Sequence, residues 1–146
     1  MVSMIRPVLA ADFDELLQIE ARAFPKSQYD REELWMLHLQ YPKTFLVTVS
    51  DQIDGYIVFK SDGHIISMAV TPEKRRTGVG TCLVEEAIHH CRGKFLRLEV
   101  RVGNIGAQKF YHSLGFLLKG RIESYYHDGE DAFVMARSAD DNEDTH

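Results

Sequence analysis

A chain of 146 residues has the length of one domain and can bury about two-thirds of its unfolded surface, so it needs no disulfide or metal to hold it together. Its 45% hydrophobic and 27% charged content is that of a globular protein; no apolar run approaches the ~20 residues that span a bilayer, and the start MVSMIRPVLAADFDE has no apolar signal core. The net charge of −5 is concentrated at the end, where SADDNEDTH (138–146) holds four acids and no Lys or Arg, and the nearly neutral remainder carries no nucleic-acid footprint.

Asp12 followed by Glu15 has the spacing of a capping box, and Phe13, Leu16, Leu17, Ile19, Glu20 and Ala23 continue a helical pattern to about Arg22. Phe24-Pro25-Lys26-Ser27-Gln28 breaks it. Asp30–Leu39 reads as a second helix, with Leu34, Trp35, Leu37 and His38 spread around it, and Tyr41-Pro42 stops it. A three-strand meander follows: 44–50, a turn over 51–55, 56–60, a turn at Ser61-Asp62-Gly63, then HIISMAV (64–70). A helix runs from about Val79 to Arg92, with Leu83, Ala87, Ile88 and Cys91 as its core face. Phe95–Arg101 alternates, placing Leu96, Leu98 and Val100 on one face and Arg97, Glu99 and Arg101 on the other. A short helix from Asn104 to Leu114 ends at Gly115, and 116–122 and 132–136 are closing strands. The order predicts a mixed α/β layer structure, one domain over residues 1–137 with 138–146 as a frayed acidic tail.

The two cysteines, Cys82 and Cys91, fall on one helix ~13 Å apart and cannot bridge. Both are expected to be small buried apolar side chains, in a reducing, cytoplasmic compartment. His89 and His90 are adjacent and point to different faces, and the chain has no HxxxH or CxxC pair, so no metal site is expected.

At the junction of strand and helix stands TPEKRRTGVGTCLVEEA (71–87). Gly78 and Gly80 strip side chains from the start of a helix, where free N–H groups and the helix dipole favour phosphate, and Arg75 and Arg76 add fork-shaped donors. A Walker loop is excluded because no Lys follows the second glycine. A dinucleotide fingerprint is excluded because Leu83 stands where its third glycine belongs.

What remains, [R/Q]xxGxG after a strand ending in V-x-P, resembles the acetyl-CoA-binding motif of the GNAT superfamily of acetyltransferases. LEVRVGNIGAQKFYHSLGF (98–116) is similar to a second block of that family. YYHDGEDAFVMA (125–136) and DGHIISMAV (62–70) resemble N-terminal protein acetyltransferases of the RimI type and their archaeal and eukaryotic relatives. The likeness covers about residues 5–137. It implies a GNAT fold: a mixed central sheet of six to seven strands with four helices, strands four and five splayed to admit acetyl-CoA. The resemblance would put the pyrophosphate on the backbone of Arg76, Thr77, Gly78, Val79, Gly80 and Thr81, with Arg75 beside it. It would lay the pantetheine arm along Met68, Ala69 and Val70, and give Asn104 a cofactor contact.

Acetyl transfer to an amine needs a neutral nucleophile, a polarised thioester and a protonated leaving thiolate. A protein α-amine, with a pKa of ~7.7–8.0, asks less of a base than a lysine at ~10.4. Glu99 matches the family's base, with a cross-strand pairing to Arg97 or Arg101 as its plainer alternative; His64 is its rival. Tyr111 matches the family's general acid, with a core role beside Phe110 and Leu114 as the alternative. His112 reads as surface. Phe24, Tyr29 and Tyr125 are the implied contacts to a substrate N-terminus. Lys26 departs from the RimI loop, where a Trp stands, and the loop also lacks the acid of the archaeal and eukaryotic enzymes. The expected activity is transfer from acetyl-CoA to protein N-termini, those of ribosomal proteins among them, by direct attack. The alternatives are a small-molecule or lysine amine as acceptor, and a non-catalytic acyl-CoA-binding subunit. Neither a nucleic-acid nor a membrane partner is expected; a homodimer is left open by alternating edge strands without a specific seam.

Overall fold

A computed structural model describes residues 4–139. In chain order it holds strand β1 (Met4–Pro7), helices α1 (Phe13–Ala23) and α2 (Arg31–Gln40), strands β2 (Phe45–Val49), β3 (Ile53–Phe59) and β4 (Ile65–Val70), helix α3 (Val79–His90), strand β5 (Phe95–Arg101), helix α4 (Ile105–Ser113) and strands β6 (Leu117–Ile122) and β7 (Ala132–Ser138). Most of the acidic tail expected over 138–146 lies outside the described residues. Its first two positions belong to the fold: Ser138 ends β7, and Ala139 is buried with its N–H donating to Lys94 O.

β1 has no counterpart in the sequence reading, because a four-residue strand beside a Pro carries too little alternation. It pairs antiparallel with β2. The Asp12 capping box is not formed. Asp12 instead accepts two hydrogen bonds from the Arg6 guanidinium, at 2.8 and 2.9 Å, and one from Leu9 N–H, while Glu15 reaches across to accept Ile53 N–H. Both acids thus tie α1 to β1 and β3. The box forms at α2, where Asp30 accepts Glu33 N–H and Glu33 accepts Asp30 N–H.

The expected single sheet is two. β1-β2-β3-β4 form one antiparallel sheet and β5-β7-β6 another. They touch through one parallel bridge, His64 with Arg97, where Arg97 N–H donates to Gly63 O. β3 is buried along its whole length. On one face Ile57, Phe59, Met68 and Val70 pack with Leu83, Ala87 and Ile88 of α3 and with Leu96 and Leu98 of β5. On the other, Tyr56, Val58 and Ala69 pack with Phe13, Leu16 and Ile19 of α1 and Leu34 of α2. Burial on both sides is why 53–59 reads as an apolar run rather than an alternation.

Cys91 is buried as expected, but Cys82 is exposed. A nine-residue spacing turns the helix through two and a half turns, so the two side chains lie on opposite sides. No helix among the described residues is long and apolar enough to cross a membrane.

Candidate active site

From the His64–Arg97 bridge β4 and β5 diverge, and the opening between them organises the site. Tyr111 O–H donates to Met68 O at 3.2 Å, and Arg75 Nε donates to Val70 O at 3.4 Å. Met68 and Val70 therefore turn their backbone toward the opening, and by the alternation of a strand Ala69 between them turns its backbone to β3. This is the free edge of a sheet, with polar backbone available to a ligand.

The glycine-rich turn stands at one end of the opening. Gly78 caps α3 with φ at +93°, in the left-handed region, and open space lies where its side chain would be. Arg76 shares that region at φ +66°, so the chain curls and leaves the first N–H groups of α3 facing outward. Gly80 serves a different end: a Cβ there would meet the Phe110 ring at 3.1 Å, so it lets α3 and α4 close together. Thr77 and Thr81 are exposed, whereas the Val79 side chain is core and only its backbone can face a ligand. A cavity of about 450 Å³ lies over this turn, lined by Arg75, Arg76, Gly78, Thr81, Lys109 and Phe110. It shares Arg75, Gly106 and Phe110 with a narrower cavity of about 170 Å³ walled by Met68, Ala69 and Val70 on one side and Asn104, Ala107 and Tyr111 on the other. A cationic bowl at the start of a helix that opens into a narrow slot can hold a pyrophosphate carrying a long, thin arm. Asn104 also has structural work. Its side chain caps α4 by accepting Ala107 N–H and donates, at 3.5 Å, to Ala23 O.

Past Tyr111 the slot meets a chamber of about 750 Å³ bounded by the loop 24–29, by β4 and β5, and by the segment that carries Tyr125 and Tyr126. Phe24, Met68 and Tyr111 line both. Glu99 is there, but neither neighbouring Arg pairs with it. Arg97 goes to Asp62, and Arg101 goes to Asp128 and Glu130. Glu99 Oε1 instead lies 2.8 Å from His64 Nε2 and 3.5 Å from the Tyr125 hydroxyl. The two rival base candidates are thus in contact, across the bridge that joins the sheets. Tyr29 is half-buried and Tyr125 exposed.

Arg101 binds the chamber's walls together. Its guanidinium donates to Ser27 Oγ at 2.8 Å, Lys26 O at 3.4 Å, Asp128 at 3.0 Å and Glu130 at 2.7 Å, and it stacks over the Tyr126 ring at 4.1 Å. One side chain on β5 thereby joins two loops that meet nowhere in sequence. Tyr111 is buried. Burial raises its pKa far above that of a free phenol, and negative charge on Glu20 pushes it the same way. Burial also lifts Tyr126 to about 12. His112, next in sequence, is exposed.

Glu20 is the residue that sequence reasoning left without a role. An acid in step with Leu16 and Ile19 on an apolar helix face was the available signal. It is fully buried, accepts Tyr29 N–H at 2.9 Å and the Tyr56 hydroxyl, and forms part of the chamber wall. Burial raises its pKa to about 7, against the opposing Tyr29 hydrogen bond and with help from Glu33. In the unfolded chain the same group titrates near 4.3. Between those values the folded state holds the extra proton, so stability falls as pH rises from ~4.3 through about 7 and the penalty persists above. Glu20→Gln is expected to flatten that fall: denaturant titrations at pH 5 and pH 8 should differ less in the variant than in the wild type, by up to about 3 kcal/mol.

The family model described as "Acetyltransferase (GNAT) family" matches residues 11–116. A protein of Methanocaldococcus jannaschii named as an uncharacterized N-acetyltransferase is 36% identical over 92% of this chain and 90% of its own. An N-alpha-acetyltransferase of Sulfurisphaera tokodaii is 31% identical over 90% of each. The crystal structure of Ard1 from Thermoplasma volcanium superposes with a TM-score of 0.78 at 30% identity, over 94% of this chain and 97% of that one.

Proposed function

The chain belongs to the GNAT family of acetyltransferases and is an acetyl-CoA-dependent N-acetyltransferase; from that premise we propose that its acceptor is the free α-amine of protein N-termini, with ribosomal proteins beginning in Ala or Ser among them. The observation that carries this reading is the chamber itself. Of the acids that line it, Asp128 pairs with Arg101, Glu33 caps α2, Glu20 is buried against Tyr29 and Tyr56, and Glu99 rests on His64. A second cationic group, as on a polyamine, would find little free negative charge there. Aromatic walls from Phe24, Tyr29, Tyr125 and Tyr126 suit a short, extended peptide end.

Acetyl-CoA supplies the activated acetyl thioester. The amides from Arg76 to Thr81, with Arg75, hold its pyrophosphate at the start of α3; Met68 and Val70 orient the arm through the backbone that faces the slot, and Asn104 closes the other side of the slot. Glu99, directly or through one water, takes a proton from the attacking nitrogen, and His64 keeps its carboxylate aimed. Tyr111 leaves Met68 O to give its proton to the departing sulfur; a phenol held protonated by burial suits that role. Attack is direct, because neither cysteine lines the chamber.

Coenzyme A release with peptides of free Ser, Ala or Met start, with blocked peptides bearing an internal Lys, and with spermidine tests the acceptor. Release confined to free N-termini is expected; release with blocked Lys peptide or spermidine instead would overturn it. Gly78→Ala tests the pyrophosphate seat. A side chain at φ +93° costs about 1–2 kcal/mol in the binding-ready turn, so the KM for acetyl-CoA should rise about tenfold while the peptide KM changes little.

A further inference from the structure

From the chain of hydroxyls that links Ser67 to Glu20, we infer that this enzyme has a second proton exit, in which the incoming ammonium gives its first proton to Ser67, Ser67 gives its own to Tyr56, and Tyr56 gives its own to Glu20. The inference rests on amine acetylation as proposed above.

An α-amine reaches the enzyme at neutral pH with three protons and leaves as an amide with one. One proton must go before attack, to create the nucleophile, and a second as the amide forms. Of this pair, one replaces the proton that Tyr111 gives to the sulfur, and one is released to solvent. Glu99 is a single carboxylate, and two departures in one turnover ask for two acceptors.

The structure holds a route for the other. Ser67, on β4, is half-buried and lines the chamber with Glu99 and Tyr111. Its Oγ lies 2.8 Å from the Tyr56 hydroxyl and is the donor of that pair, because Tyr56 gives its single proton to Glu20. The Tyr56 hydroxyl in turn donates to Glu20 Oε2, and Tyr56 itself is 1% exposed. Each hydroxyl can accept one proton and pass on its own, so the chain reverses its direction without forming an ion along the way. Tyr29 N–H stays on the other oxygen, Oε1, throughout.

The terminus has the right affinity. Glu20 titrates near 7, about one unit below an α-amine, so the first transfer is nearly balanced and readily reversed once product leaves. The titratable groups around it are Tyr29 from the loop, Glu33 from α2, Tyr56 from β3 and Tyr111 from α4. Burial keeps Tyr29 and Tyr111 protonated, and Glu33 favours the protonated form of Glu20.

The test is the pH profile of kcat/KM for the best free-N-terminus peptide in the wild type, Tyr56→Phe, Ser67→Ala and Glu20→Gln, with thermal melts as the check on folding. Each variant should lose about tenfold near pH 7.5, between the Glu20 and α-amine pKa values, and should match wild-type rates both by about pH 9, where the amine arrives neutral, and below about pH 6, where Glu20 is already protonated, with the KM for acetyl-CoA unchanged. A wild-type profile in Ser67→Ala, or a loss that is equal at every pH, overturns the relay and leaves these residues as packing. Should Tyr56→Phe fail to fold, Ser67→Ala decides, because it removes one hydroxyl from the chamber wall. A wild-type enzyme that acetylates only lysine side chains would sink the N-terminal reading by itself. The relay would then be read on that substrate, with the deficit persisting to higher pH because a lysine titrates at ~10.4.

Discussion

Tyr111→Phe should lower kcat for acetyl transfer about a hundredfold, the usual worth of a positioned general acid, while leaving the KM for acetyl-CoA within about twofold. The ring stays, so the packing with Phe110 and Phe116 is kept and only the hydroxyl is lost. In the resting protein that hydroxyl is spent on Met68 O, one of the backbone groups that face the slot. On the proposed mechanism that proton is stored beside the departing sulfur, and burial keeps it on the oxygen. Steady-state kinetics with an α-amine peptide check the number. A kcat within threefold of wild type would return Tyr111 to the plainer role of a core tyrosine with a satisfied hydroxyl.

Glu99→Gln should cost about as much in kcat/KM at pH 7, and the two losses should be told apart by pH. Gln keeps the size of the side chain and a partner for His64 Nε2 but cannot take a proton. As pH climbs past about 8, hydroxide increasingly takes the proton that Glu99 would accept as the amide forms, and part of the activity should return. The Tyr111→Phe deficit should not shrink, because the leaving thiolate still lacks its donor. His64→Ala belongs in the same series: loss of an orienting contact should cost about tenfold, less than loss of the carboxylate. A Glu99→Gln variant with wild-type rates at pH 7 would return this residue to a structural pairing between the sheets.

Much of the fold is legible locally. β5 falls where the Leu96, Leu98 and Val100 alternation puts it, and α3 buries Leu83, Ala87, Ile88 and Cys91 as the helical period requires. These assignments succeed because one face of each element meets the core, and periodicity reports that face directly. The failures have separate causes. Asp12 and Glu15 have the spacing of a cap, but each found a better partner in a distant element, Arg6 in one case and the Ile53 amide in the other. Local pattern gives way when a long-range hydrogen bond satisfies the same groups. Cys82 was misjudged because the helix is buried on one side only, and its exposure depends on which side that is.

For the site, the family resemblance marks Glu99, Tyr111 and the glycine turn as expectations, and the structure brings Glu99 and Tyr111 to the wall of one chamber with the turn beside the adjoining slot. The Glu99–His64 contact, the Arg101 clamp and the Ser67–Tyr56–Glu20 chain could not be read from the sequence. Each includes a contact between residues 35 or more positions apart in the chain: His64 to Glu99, Ser27 to Arg101, Glu20 to Tyr56. The sequence by itself determined an α/β chain with a glycine-rich strand-to-helix turn between a meander and an alternating strand, because periods of 2 and 3.6 and the demand for glycine at positive φ are written in single residues. Only the tertiary structure decided that β4 and β5 part into two sheets and which acids face one another across the gap, because strand pairing and burial are properties of the whole packed core.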